Sequence, residues 1–302
     1  MTPQPETRPE SNEILVPGSI SNLGPAFDTM SVAVNLYLRA RILDVRPSVP
    51  DTLEFEFAGA PPVGGNRIEE AFRLARERVG RPAPGLRVAV HSEIPMRAGL
   101  GSSGAATIAG LKLYEAVTAP RSAALWLPLA RHLEGHPDNV AAALLGGTTI
   151  SCQHEDGRIT ARAWPWPDEV KFVVATPDRP LETSFARRIL PSTLPMEDAV
   201  FNLQRALLLV RALETRRYED LREALRDRWH QPHRAPLVPG LIEALALDHP
   251  AVLGVCLSGA GPSIVALARP GHEAEAARVL DGLYERLGVS HTIRVLSAHQ
   301  PV

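Results

Sequence analysis

Residues Gly99-Leu100-Gly101-Ser102-Ser103-Gly104-Ala105-Ala106 constrain this chain more than any other stretch. Three glycines and two serines stand at the mouth of an apolar, alanine-rich run. That run, from about Ser103 to Val117, has the length and composition of a helix. Glycine reaches φ > 0 without steric cost and lets a ligand approach the backbone amides. A helix start adds unpaired N–H groups and partial positive charge. Together they predict an anion site, for which phosphate is the usual occupant.

Two common phosphate loops are excluded by what surrounds the glycines. The spacing matches G-x-G-x-x-G, the dinucleotide fingerprint. That fingerprint needs a strand leading straight into its first glycine and an acidic residue about 20 positions further on. Here the predicted strand Leu86–Val90 is separated from Gly99 by Ile94-Pro95-Met96-Arg97-Ala98, and no Asp or Glu lies between Ala116 and Leu133. A Walker loop needs Lys-Ser/Thr after its glycines. None follows, and the chain carries only Lys112 and Lys171. Phosphate charge therefore falls to amides, a metal or arginine. Taken alone, the motif also fits a tight turn that merely caps a helix.

A chain of 302 residues holds one large domain or two ordinary ones. A net charge of −2 leaves no basic footprint for nucleic acid or a membrane surface. Cys152 and Cys256 are too few for a disulfide framework or a zinc knuckle, and both lie in apolar β-like runs, where a small buried residue is expected. No apolar stretch reaches the ~18 residues of a membrane span. The first dozen residues carry Pro3, Pro5 and Pro9 and no apolar signal region. Residues 1–12 are thus expected to be a disordered tail and the cytoplasm the compartment. Nothing fixes the oligomeric state, so a homodimer stays open.

Strands and helices interleave irregularly, which favours α+β over a doubly wound sheet. Ile14-Leu15-Val16 reads as a short strand broken by Pro17-Gly18, followed by a long β-like run from Val32 to Asp44. Asn66 opens an amphipathic helix. Helices are expected to about Val117, from Ser122 to Leu133 and after Pro137, then a hairpin around Asp156-Gly157. A domain boundary is placed before the apolar strand that follows, giving units 13–168 and 169–302. In the second, Glu197–Glu214 is a helix with an apolar stripe of Val200, Leu203, Leu207, Val210 and Leu213.

Three other polar clusters carry chemistry. Ser19–Asp28 is a Gly/Pro-containing loop whose Asn22 and Asp28 suit a polar substrate, or simply an Asx-rich turn. Glu134-Gly135-His136-Pro137-Asp138-Asn139 puts a carboxylate after a helix, suited to Mg²⁺. Zinc on His132 and His136 would need an unbroken helix, which Gly135 and Pro137 exclude, and Asp138 or Asn139 also fits a simple helix cap. Ser258–Ser263 is a second glycine-rich loop, a hairpin turn when taken alone.

In their order, "NLGPAFD" (22–28), "P-x-x-x-G-L-G-S-S" (95–103) and "LSGAGPS" (257–263) resemble the three motifs of the GHMP small-molecule kinase superfamily. "EGHPDNVAAALLGG" (134–147), "TSFARRILP" (183–191) and "HQPHRAPLVP" (230–239) extend the resemblance to its homoserine kinase branch. It runs from about residue 13 to 300. The resemblance implies a two-domain α+β GHMP kinase fold. Its N-terminal domain would be like ribosomal protein S5 domain 2 and its C-terminal domain ferredoxin-like, with the site between them. It also implies phosphorylation of L-homoserine by ATP with Mg²⁺, in threonine biosynthesis. The alternatives are a sister GHMP kinase acting on another small alcohol, or a non-catalytic regulator on the same fold.

Carried over by position, the resemblance implies ATP contacts at Asn66, Pro95, Gly99, Leu100, Gly101, Ser102, Ser103, Gly259 and Gly261. Ser103 and Glu134 would hold the metal, with Ser102 an alternative hydroxyl. Asn22, Asp28, His136, Thr183, Arg187 and Arg234 would bind substrate, and Asp28, Asn139 and Arg187 would bear on catalysis. The chain departs from the family pattern at Gly18, Ile20 and Ala26, and Glu134 stands unusually close to His136. Alanine at 26 requires a turn that avoids φ > 0 or tolerates strain.

Overall fold

The computed structural model describes residues 12–59, 61–62 and 65–301; the expected tail lies outside them, apart from Asn12. The first unit contains β1 (Glu13–Ser21), β2 (Met30–Arg46), β3 (Leu53–Phe57), α1 (Arg67–Val79), β4 (Gly85–Ser92), α2 (Ser102–Thr118), α3 (Ala123–Glu134), α4 (Asp138–Leu145), β5 (Thr148–Gln153) and β6 (Ile159–Trp164). The second contains β7 (Phe172–Pro177), α5 (Thr183–Arg188), α6 (Met196–Thr215), α7 (Leu221–Ala224), α8 (Gln231–Arg234), α9 (Leu241–Leu245), β8 (Val252–Leu257), β9 (Ile264–Ala268), α10 (Glu273–Arg286) and β10 (His291–Leu296).

The first sheet has the order β3-β4-β2-β5-β6, with β1 also paired to β2. Only β3 and β4 run parallel; the other pairs are antiparallel. Strand β1 does not break at Pro17-Gly18, contrary to the sequence expectation. It continues through a register shift there. Proline removes one ladder donor, which an edge strand with a bulge tolerates. Helices α1, α2 and α3 meet through Phe72, Tyr114 and Trp126, all buried and stacked edge to face.

The second sheet is antiparallel in the order β10-β7-β9-β8. Counted within this unit the order is 4-1-3-2, and the elements run β-α-β-β-α-β, which is the ferredoxin-like arrangement. The chain passes between sheets across Trp164–Phe172. After β10 it returns to the first sheet: Ser297 accepts from Asn35 N–H, and Ala298 bridges Val34.

Two further expectations are corrected. On α6 the residues Val200, Leu203 and Leu207 are exposed, whereas Phe201, Leu209, Ala212 and Leu213 are buried. Cys152 is exposed on β5, because it faces away from the core; Cys256 is buried, and burial pushes its thiol up to about 12. Among the described residues no helix is long and apolar enough to cross a membrane.

Candidate active site

The glycine loop and the start of α2 form one wall. Strand β4 ends at Ser92, and the loop runs to Gly101, which caps α2 in the left-handed region (φ 74) with no side-chain hydrogen bond. The first amides of α2 are left for an anion. Gly99 also needs φ > 0 (77), and its backbone is pressed against a neighbour: a Cβ there would lie 2.4 Å from the Ser258 carbonyl oxygen. Ser258 Oγ donates to Gly99 O at 2.7 Å, and Ser263 N–H donates to Ala98 O at 3.1 Å. The second glycine loop thus lies backbone to backbone against the first, bringing Gly259 and Gly261 to the loop's rear. Leu100 turns its side chain into the core, and its carbonyl accepts from Ser19 N–H at 3.0 Å. Pro95 is half-buried at the loop's entry.

Glu134 ends α3, and Gly135 caps it in the left-handed region (φ 85). Despite the short segment to His136, the Glu134 carboxylate reaches α2. Its Oε1 accepts from Ser103 Oγ at 2.9 Å and from Thr107 Oγ1 at 2.6 Å. Ser103 and Thr107 are four apart and share a helix face. Ser102 is half-buried beside them. A hydroxyl and a carboxylate at a helix start are hard oxygen donors, and they fit Mg²⁺ that takes its remaining ligands from phosphates and water. A cation already stands at this point: Arg67 Nε lies 3.3 Å from the same Oε1. Asn66, just before it, caps α1 by accepting from Ile68 N–H at 3.2 Å.

The other wall gathers charged groups around Phe27. Asn22 and Asp28 both sit in the left-handed region (φ 70 and 54), which Asn and Asp tolerate better than other side chains. Ala26, by contrast, avoids φ > 0, as alanine requires. Asn22 ties the loop together: its Oδ1 accepts from Asp28 N–H at 2.9 Å and its Nδ2 donates to Gly259 O at 2.9 Å. Arg187 reaches Asp28 from α5, and Thr183 lies exposed at that helix's first position. Arg187 and Arg234 both lie over the Phe27 ring, 5.3 and 5.2 Å from its centre.

Arg234 is 2% exposed, yet its acceptors are neutral: Ala186 O at 3.2 Å, Gly259 O at 3.0 Å and His230 Nδ1 at 3.2 Å. Burial, with Arg187 adding to it, pulls its guanidinium down to about 10. Such a cation favours an incoming carboxylate. Arg187 is pushed the other way by its hydrogen bonds to Asp28.

His136 and Asp138 are both buried, and His136 Nδ1 meets Asp138 Oδ1 at 2.7 Å. Burial, the largest single influence, disfavours both charges, but the hydrogen bond and the mutual charge attraction together outweigh it, holding His136 above and Asp138 below their ordinary ranges. Asp138 therefore orients His136. Neither it nor Asn139 caps α4, whose N-cap is Pro137. Asn139 Oδ1 accepts from Ser19 Oγ at 2.9 Å and also from Ser21 Oγ.

The expected residues thus fall into two groups, one around Ser103 and Glu134 at the start of α2 and a second, charged one around Asp28, Arg187, Arg234 and His136. Sequence reasoning missed Arg67, Thr107 and Phe27, and the buried His230 behind Arg234. The Ser103–Thr107 spacing was the one available signal.

Known proteins resemble this chain in sequence and in fold. Residues 66–147 match the family model for the GHMP kinases N terminal domain, and residues 209–286 the model for the GHMP kinases C terminal. Homoserine kinase of Thermus thermophilus is 40% identical over 270 residues, covering 88% of this chain and 90% of that protein. Homoserine kinase of Moorella thermoacetica is 37% identical over 290 residues, covering 94% and 96%. The crystal structure of homoserine kinase from Cytophaga hutchinsonii superposes with a TM-score of 0.83 at 22% identity, covering 99% of this chain and 98% of that one.

Proposed function

The chain belongs to the GHMP kinases, and on that premise we propose that it transfers the γ-phosphoryl group of ATP to the hydroxyl of L-homoserine. The product is O-phospho-L-homoserine, an intermediate of threonine biosynthesis. The observation that carries this reading is the flanking of Phe27 by Arg187 and Arg234, with Asp28 bonded to Arg187. Two guanidinium groups and a carboxylate complement the carboxylate and ammonium of an α-amino acid. The homoserine kinase relatives support the same choice.

In this reading the amides from Gly99 to Ser103 and the start of α2 receive the triphosphate, and Asn66 marks the adenine side. Ser103 and Glu134 would hold Mg²⁺, which when bound neutralises charge on the phosphates. Arg187 and Arg234 take the substrate carboxylate, and Asp28 takes its ammonium. His136, fixed by Asp138, and Asn139, fixed by Ser19 and Ser21, line the same pocket and orient the substrate, with Thr183 at its rim. Phosphoryl transfer asks mainly for positioning and charge neutralisation. Asp28 is already committed to a cation, so transfer is direct and in line, without a carboxylate base. The reading places the reaction in the cytoplasm, with no nucleic-acid or membrane partner.

ADP release with Mg·ATP and a panel of alcohols tests it. L-homoserine should give the highest kcat/KM. Preference for mevalonate or a diphosphocytidyl sugar alcohol would identify a sister kinase. ATP binding with no turnover would identify a regulator.

A further inference from the structure

Glu134 Oε1 accepts hydrogen bonds from two neutral hydroxyls, Ser103 and Thr107, and forms an ion pair with the Arg67 guanidinium, whose Nε lies 3.3 Å away. The Glu134 side chain is only 7% exposed, and a nearly buried carboxylate needs a compensating charge. The fold builds Arg67 into that role. Helix α1 packs on α2 at Gly110, where a Cβ would lie 2.1 Å from Ile68 O. The close approach lays the first turn of α1 beside the phosphate end of the site. Arg67 is itself 36% exposed, and its Nη1 holds Glu70 at 2.7 Å. It is anchored to Glu70 and remains partly exposed to solvent.

A divalent cation and a guanidinium repel each other on one carboxylate oxygen, so a metal that takes Glu134 leaves Arg67 in need of further negative charge. A polyphosphate supplies that charge, and the chain is poor in lysine; Lys112, on α2, is paired with Glu115. We propose that Arg67 is the exchangeable counter-cation of this site. It neutralises Glu134 while no nucleotide is bound, gives that carboxylate up to a divalent cation that arrives with the nucleotide, and then pairs with the polyphosphate. The site therefore takes its metal as a metal–nucleotide complex and discriminates against the free ion. The proposal rests on the phosphotransfer reading for the identity of the anion.

The test uses the full chain and two binding measurements. Free Mn²⁺ is titrated into nucleotide-free protein and followed by electron paramagnetic resonance. Mg·AMP-PNP binding is measured by calorimetry. Arg67→Gln should bind free Mn²⁺ about 10-fold more tightly than wild type, and Mg·AMP-PNP about 10-fold more weakly. Arg67→Lys should restore most of both, and adding Glu134→Gln should abolish the gain in Mn²⁺ affinity. Arg73→Gln, on the exposed face of α1 where Arg73 pairs with Glu69, should behave as wild type. Circular dichroism checks that each variant is folded. Unchanged or weaker Mn²⁺ binding by folded Arg67→Gln overturns the proposal, as does unchanged Mg·AMP-PNP affinity, even if the wild type phosphorylates homoserine. A wild type that binds no Mg·AMP-PNP overturns the phosphotransfer reading, and the phosphate half of the proposal with it.

Discussion

Arg187 and Asp28 face each other fork to fork, with Nη1 to Oδ2 at 2.8 Å and Nη2 to Oδ1 at 2.7 Å. The pair joins α5 to the β1–β2 loop, and it holds the two charges that a zwitterionic substrate would engage. An amino acid can replace both halves, its carboxylate meeting Arg187 and its ammonium meeting Asp28. Arg187→Lys keeps the charge but loses the fork. We expect KM for homoserine to rise about 10- to 100-fold with a smaller change in kcat. Steady-state kinetics at saturating ATP measures this, and an unchanged KM would remove Arg187 from carboxylate binding.

Asp28→Asn separates binding from base catalysis. Without a carboxylate base, kcat should fall only a few-fold while KM rises. A fall in kcat of order 10²–10⁴ at saturating homoserine is the signature of an essential general base and would reject direct transfer.

His230 gives a pH dependence with a definite sign. Its Nε2 donates to Gly24 O at 2.7 Å and its Nδ1 accepts from Arg234 at 3.2 Å. Only the neutral ring does both. Burial depresses its pKa below the ordinary 6.5, against the pull of Asp227. Below that value the unfolded chain takes up a proton that the folded chain refuses. Stability contributed by His230 is therefore lost as pH falls below 6.5, by up to about 1.4 kcal/mol per pH unit. Urea midpoints from pH 7.5 to 5.5 should fall more steeply for wild type than for His230→Gln. Equal slopes would contradict the assignment.

Gly99 and Gly157 separate backbone strain from packing. Both have φ > 0, at 77 and 82. A Cβ on Gly99 meets Ser258 O at 2.4 Å, whereas one on Gly157 meets nothing within 4 Å. Gly157→Ala should cost about 1–2 kcal/mol from the left-handed backbone alone. Gly99→Ala should add about 1–3 kcal/mol of overpacking and should also weaken nucleotide binding. Calorimetric unfolding and nucleotide titration of the two variants measure the difference.

Local signals were readable where one segment decides its own structure. Asn66 announces the start of α1 because its side chain caps that helix, and the glycines before α2 mark a helix start without a side-chain cap. Contacts set by packing were not readable. Arg67 meets Glu134, at the end of α3, where α1 packs closely on α2 at Gly110. On α6, Val200-Leu203-Leu207 and Phe201-Leu209-Leu213 are both plausible apolar stripes. Phe201 turns inward under Arg205 and Arg228, whose guanidinium carbons lie 3.2 and 4.0 Å from its ring centre. Periodicity alone offers both faces and tertiary contact chooses one. The pairing of Ser103 with Glu134 was expected through family resemblance, since 31 residues separate them in sequence.

The most direct measurement is phosphorus NMR of the protein incubated with Mg·ATP and L-homoserine. The account predicts a new phosphomonoester signal growing in step with ADP, and none when L-2-aminobutyrate, which lacks the hydroxyl, replaces homoserine. Nucleotide binding without a phosphomonoester, or faster phosphorylation of an alcohol that has no α-amino acid group, would contradict it.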